Sequence, residues 1–190
     1  MIEIRKVSTS ETTWEELKTS IKNNTSPLNI GDEIDIELKT GEKVTLVCEY
    51  MGYKRATFFT KNLLEDTHCM NENWAANNKK SLSTMGSYLE KLFHLLPDDL
   101  QKVVIGSLCL LHEKEVFGED ECKEGETYEP FPRYLKKQNR IKTLNGVPFP
   151  YWLSSASSDN SEVFYIVGRS GDKSAYDASD GGGVCFGFDI

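Results

Sequence analysis

Tyr151-Trp152-Leu153-Ser154-Ser155 and Gly183-Val184-Cys185-Phe186-Gly187-Phe188-Asp189-Ile190 bracket a polar tract of Ser, Asp, Asn and Gly, and this stretch decides the fold. Inside the tract Val163, Tyr165 and Val167 alternate with Phe164 and Ile166. The spacing predicts a strand over Glu162 to Gly168, apolar on both faces and therefore central. Flanking strands are expected over Phe149–Leu153, weakly near Ser174–Tyr176, and over Val184–Ile190. The last of these closes the chain and is expected to be tied into a sheet. Loops between such strands stand on a rigid base, where binding residues concentrate. Gly181-Gly182-Gly183 leads into a strand, so a tight turn or bulge is expected there. A phosphate cradle would need glycines leading into a helix. Trp74 and Trp152 read as core. Because Tyr151 precedes Trp152, one of that pair should point inward and the other outward. Tyr176 is the aromatic expected to be exposed.

Towards the N-terminus the same alternation returns. Ile34, Ile36 and Leu38, then Val44, Leu46, Cys48 and Tyr50, flank Thr40-Gly41 and predict a half-buried hairpin, with a third strand over Ala56 to Thr60. Helical spacing replaces it where Leu82, Met85, Leu89, Leu92, Phe93 and Leu96 recur, predicting an amphipathic helix from Ser81 to Leu96. Pro97 closes that helix, and Asp98 or Asp99 is expected to cap a short second one carrying Leu100, Val103 and Val104. Thr12 with Glu15, or Thr13 with Glu16, forms a capping box for a helix whose Trp14, Leu17 and Ile21 share one face. Cys109-Leu110-Leu111 reads as a short buried strand and His112 to Phe117 as a helical turn. Gly118 to Glu129 reads as an exposed acidic loop, and Pro132 to Gln138 as a short helix. The fold class expected is α+β, a mostly antiparallel twisted sheet with two or three helices and many loops. A helical extension over 1–29 and a single domain over 30–190 are the expected divisions.

With 190 residues, 38% hydrophobic and 11% aromatic, the chain is long and apolar enough for a core. Its net charge of −8 argues against nucleic acid as the partner, since a phosphate backbone requires a basic face. No apolar run approaches a membrane span, and Met1-Ile2-Glu3-Ile4-Arg5-Lys6 lacks a signal-peptide core. Cytoplasmic synthesis without membrane insertion is therefore the expectation. The five cysteines, Cys48, Cys69, Cys109, Cys122 and Cys185, include no CxxC pair and suit reduced, mostly buried thiols.

Candidate chemistry is sparse. Ser154 and Ser155 follow a strand, but no G-x-S-x-G elbow surrounds them, and His68, His94 and His112 lie in unlike contexts. Cys109 and His112 stand at i, i+3 without a second pair to complete a zinc site. Two sets of loop oxygens, Asp159, Asn160 and Glu162, and Asp172, Asp177 and Asp180, are hard ligands without an EF-hand pattern, and solvated loop acids are the reading preferred. No metal, cofactor or catalytic residue is assigned. The remaining candidates, Ser157, Asp159, Asn160, Arg169, Asp172, Tyr176 and Asp177, have the composition of adaptable binding loops, although ordinary turns use the same residues.

Several segments resemble a bacterial and phage-associated family of unknown function. Asn73-Trp74, Ser81-Leu82 and Tyr88-Leu89 resemble its "W…S.LR.WLN" helix, and Leu110 to Gly118 its "LLSEKEVFG" element. Tyr128 to Tyr134 and Asn139 to Lys142 are similar to its next block. Tyr151 to Ser155 stands where the family has "YWLRSP", and Gly183 to Ile190 where it has "GVRPAFDI". Ser154 replaces the usual Arg and Cys185-Phe186 the usual Arg-Pro, so ion pairs made by those arginines are absent here. The resemblance covers roughly Ile30 to Ile190, and the family's ending is similar to that of C-type-lectin-like domains in bacterial surface and phage receptor-binding proteins. It implies a C-type-lectin-like arrangement and a non-catalytic recognition or structural module of bacterial or prophage origin. Such a module would bind a protein or a surface glycan through loops from Ser154 to Gly183, with incorporation in a phage particle and oligomerisation both open. The alternatives are an enzyme-derived lectin-like domain with thiol- or metal-dependent activity, and an envelope or virion part docked by the helix Thr12–Lys22.

Overall fold

A computed structural model describes residues 2–5, 10–72, 83–119, 129–157, 160 and 162–190. Seven strands form the main sheet, every neighbouring pair antiparallel. In chain order they are β1 (Ile2–Arg5), β2 (Ser10–Thr12), β3 (Glu33–Glu37), β4 (Lys43–Gly52), β5 (Arg55–Thr60), β6 (Ile105–Leu110) and, numbered last because it closes the chain, β12 (Phe186–Asp189). Across the sheet the order is β2-β1-β3-β4-β5-β12-β6. A two-stranded ribbon joins β7 (Thr143–Leu144) to β8 (Val147–Pro148). A three-stranded sheet is ordered β11 (Lys173–Asp177), β10 (Val163–Val167), β9 (Tyr151–Ala156). The helices are α1 (Trp14–Lys22), α2 (Thr84–Phe93), α3 (Asp98–Gln101) and α4 (Glu113–Phe117). The class is α+β, as the sequence predicts.

Alternation along β5 explains how the main sheet is covered on both sides. Phe58 packs with Trp14 and Phe188 at ring separations of 5.9 and 5.7 Å, in a core lined by α1 and α2. Phe59, one residue on, faces the opposite way and meets Phe131 in a second core with Tyr134, Tyr151, Leu153 and Cys185. Gly187 of β12 is required where Phe59 crosses it: a Cβ there would lie 2.4 Å from the Phe59 ring. The hairpin is half-buried as expected along β3 and the start of β4, but β4 is then enclosed on both faces at Val47, Cys48 and Glu49. The final residue behaves as expected: Ile190 exchanges backbone hydrogen bonds with Ala56 at 3.0 and 3.1 Å.

Helix α1 starts at the second of the two offered boxes, where Thr13 Oγ1 accepts from Glu16 N and Thr13 N donates to Glu16 Oε2. Its Trp14, Leu17 and Ile21 are buried in the first core, and β1 pairs with β3. Residues on both sides of position 30 thus share one sheet and one core.

Several boundaries differ from expectation. Helix α2 begins after Ser83, whose hydroxyl accepts from Gly86 N at 2.9 Å; Trp74, Ser81 and Leu82 lie outside the described residues. Pro97, not an aspartate, occupies the cap of α3, and Asp98 and Asp99 fall in its first turn, where carboxylates suit the exposed N–H groups. The helix expected over Pro132 to Gln138 is two 3-10 turns, Pro132–Leu135 and Lys137–Arg140, separated by the extended backbone of Lys136. Strand β9 runs on through Ser154 and Ser155, both buried, so these serines belong to a strand and not to a loop. Tyr151 and Trp152 are both fully buried, against the expectation of one in and one out, because β9 lies between the two cores.

Candidate functional site

The stretch that decided the fold forms the β9–β11 sheet. Phe164 and Ile166 of its central strand face the first core with Trp152, and Tyr165 and Val167 the second. Strand β10 is thus central and apolar on both faces, as predicted. Strand β11 pairs with it from Val163↔Asp177 to Val167↔Lys173 and is an edge strand among the described residues. Ser174, Ala175 and Asp177 are exposed along it. Tyr176 is half-buried, its ring edge-on to Trp152 at 6.0 Å, which corrects its expected exposure; among the described residues Tyr53, 81% exposed, is the aromatic that stands in solvent.

This register separates the candidate ligand residues into two groups. Asn160, Ser157, Tyr176 and Asp177 gather at the open end of the hairpin, where Ser157 N donates to Val163 O and Asn160 Oδ1 accepts from Glu162 N. Asp177 N donates to Asp180 Oδ2 at 3.2 Å. Arg169 and Asp172 belong to the turn at the other end, four residues or roughly 13 Å along the strands. Asp159 lies outside the described residues.

At the turn, Asp172 is fixed by Lys137 Nζ at 2.6 and 2.8 Å and by Ser170 Oγ at 2.8 Å, and these bonds hold its carboxyl below the ordinary range. Gly171, at φ +80°, lies against the Lys137 carbonyl, where a Cβ would be 2.9 Å away. Arg169 lies over the Phe149 ring at 5.7 Å. Asp172 is thereby committed to joining the hairpin to the 3-10 turns, and it does not converge with Asp177 and Asp180 on one cation.

The other candidate chemistry is similarly occupied. Ser154 Oγ donates to Leu111 O at 3.3 Å, and Ser155 Oγ accepts from Glu113 N at 2.9 Å. His112 caps α4, its Nδ1 accepting from Lys114 N. His68 stacks on Tyr88 at 3.7 Å while its carbonyl accepts from Trp152 Nε1, and His94 ends α2. Burial pushes the Cys48 thiol up to about 12 and raises those of Cys69 and Cys185. These three are thiols, not thiolates, at neutral pH.

Two buried charge clusters escape the sequence reading. Glu49, 2% exposed, accepts from Arg133 Nη1 at 2.9 Å. Lys142, 3% exposed, donates to Thr60 O at 2.5 Å and lies 5.9 Å from the rings of both Tyr134 and Tyr151. Desolvation raises the Glu49 carboxyl, opposed by Lys142 and Arg133. In the second cluster Glu113, fully buried, pairs with Lys173 Nζ at 3.0 Å, and that ammonium stands 4.3 Å over the Tyr165 ring. This pair ties α4 to β11. The available signal for Glu49 was Val47 two residues before it, an apolar residue on the supposedly wet face of β4.

Compared with protein-family models, with curated proteins and with solved structures, the chain finds no match.

Proposed function

We propose that the protein is a non-catalytic recognition or structural module, of the bacterial or phage-associated kind its sequence resembles, with a C-type-lectin-like arrangement. Its ligand is a protein or a surface glycan. The observation that carries this reading is strand β11. The strand exposes Ser174, Ala175 and Asp177 on an edge, while Tyr176 on Trp152 and Lys173 on Glu113 anchor it to the cores. Polar residues on a rigid edge meet a ligand without an ordering cost. The loop arrangement supports it as well: the chain leaves the main sheet at β6, builds β7 to β11, and returns as β12 beside β6. Asn160 and Asp177 at the open end form the contact region together with β11, and Ser157 and Tyr176 flank it. Burial raises the thiols of Cys48, Cys69 and Cys185, which disfavours the thiol-dependent alternative at those three positions.

The test is saturable binding of labelled protein to intact bacterial cells, with the double variant Ala175→Arg/Asp177→Ala, whose positions are exposed. Binding that the variant loses, at unchanged thermal stability, is the expected result. Equal binding by both proteins places the contact elsewhere, and the absence of binding to every host tried rules out cell-surface recognition.

A further inference from the structure

We infer that the face opposite the open end of the hairpin is a docking surface for an acidic protein segment that also presents aliphatic side chains. From Pro130 to Ser158 the chain has five cations, Arg133, Lys136, Lys137, Arg140 and Lys142, and no acidic residue, within a protein of net charge −8. Two of the five are consumed internally: Arg133 by Glu49 and Lys142 by the Thr60 carbonyl. The other three are brought together by the 3-10 turns, and the β10–β11 turn adds Arg169. Lys137 binds Asp172, Arg140 acts on the same carboxylate, and Gly171 packs on the Lys137 carbonyl. Among the described residues, Asp172 is thus the carboxylate that Lys137 and Arg140 share. Lys136 and Arg169 are exposed and have no carboxylate partner among the described residues, and Arg169 is pre-oriented on Phe149.

The same stretch of chain carries the two most exposed aliphatic side chains among the described residues: Leu135, 76% exposed, adjoins Lys136, and Val147, 62% exposed, lies on the β7–β8 ribbon that leads into Phe149. Single exposed apolar residues are ordinary, but aliphatic groups interleaved with unpaired cations call for a partner with both characters. The phosphate backbone of a nucleic acid offers no aliphatic group to Leu135 and Val147. An acidic peptide with aliphatic residues satisfies both, and Arg on an aromatic platform is well suited to carboxylates. This surface is independent of the recognition proposed for Asn160, Asp177 and the β11 edge.

Fluorescence anisotropy with a labelled synthetic peptide of glutamates interrupted by leucines tests it. The comparison probes are a serine-for-leucine version, a single-stranded oligonucleotide and vesicles of anionic lipid. Binding of the glutamate–leucine peptide should weaken about tenfold or more in Lys136→Glu/Arg169→Glu, and also as salt rises from about 0.05 M to about 0.3 M. Leu135→Ser should weaken it while leaving binding of the serine version unchanged. An unchanged thermal midpoint certifies both variants, since all three side chains are exposed. Peptide binding that is absent or equal in the charge-reversed protein overturns the proposal, as does tighter binding of the oligonucleotide or the vesicles. Ala175→Arg/Asp177→Ala should bind the peptide normally, which separates this surface from the other.

Discussion

At the scale of single residues, the decisive positions are those where the two cores press on one backbone. Gly187 lies beneath Phe59, with the Phe58 carbonyl 2.5 Å from any Cβ added there. Gly187→Ala should therefore cost about 1–3 kcal/mol or more, read as a lower urea midpoint with unchanged slope, because neither backbone nor ring has room to withdraw. Glu49 gives a prediction in pH. Its carboxyl is raised in the fold, so between the ordinary value of 4.5 and its folded value the native state holds more proton than the unfolded chain. That contribution to stability is therefore lost as pH rises through the window. Glu49→Gln removes it, so the stability of the variant relative to the natural protein should increase as pH rises across that range. A difference that stays flat with pH would show that Glu49 does not titrate in this way.

At the scale of elements, local signals proved strongest where the chain makes its own contacts. The Thr13–Glu16 box is complete, and Thr13→Ala should destabilise the protein by about 0.5–2 kcal/mol, measured by chemical denaturation. The helix positions Trp14, Leu17 and Ile21 and the strand period of Ile34, Ile36 and Leu38 were legible because each element is amphipathic about its own axis. Elements that bury both faces were less so. Strand β9 shows Tyr151 and Trp152 equally enclosed, and no alternation in one strand reveals that a second core covers its other side. The candidate ligand residues illustrate the same limit. Ser157 to Asp177 form one polar tract in sequence, yet a hairpin with five-residue strands places Arg169 and Asp172 at one end and Asn160 and Asp177 at the other.

At the scale of the whole molecule, the thiols report on global opening. With Cys48 pushed up to about 12, its thiol stays protonated at pH 8. Cys48 and Cys185 are both 0% exposed. Their alkylation should follow unfolding, with a rate that rises with denaturant and matches the opening measured by hydrogen exchange of the central strands. Rapid labelling of either in the native protein would contradict this and restore a thiol-based chemistry. What the sequence alone determined was the α+β class, the antiparallel strands, the helix faces and the closing strand, since periodicity and capping are local properties. Tertiary structure decided which charges are buried, because Glu49, Lys142 and Glu113 meet Arg133, Thr60 and Lys173 from distant segments. It also decided which polar residues share a surface, because strand length and pairing register, rather than nearness in the chain, set their separation.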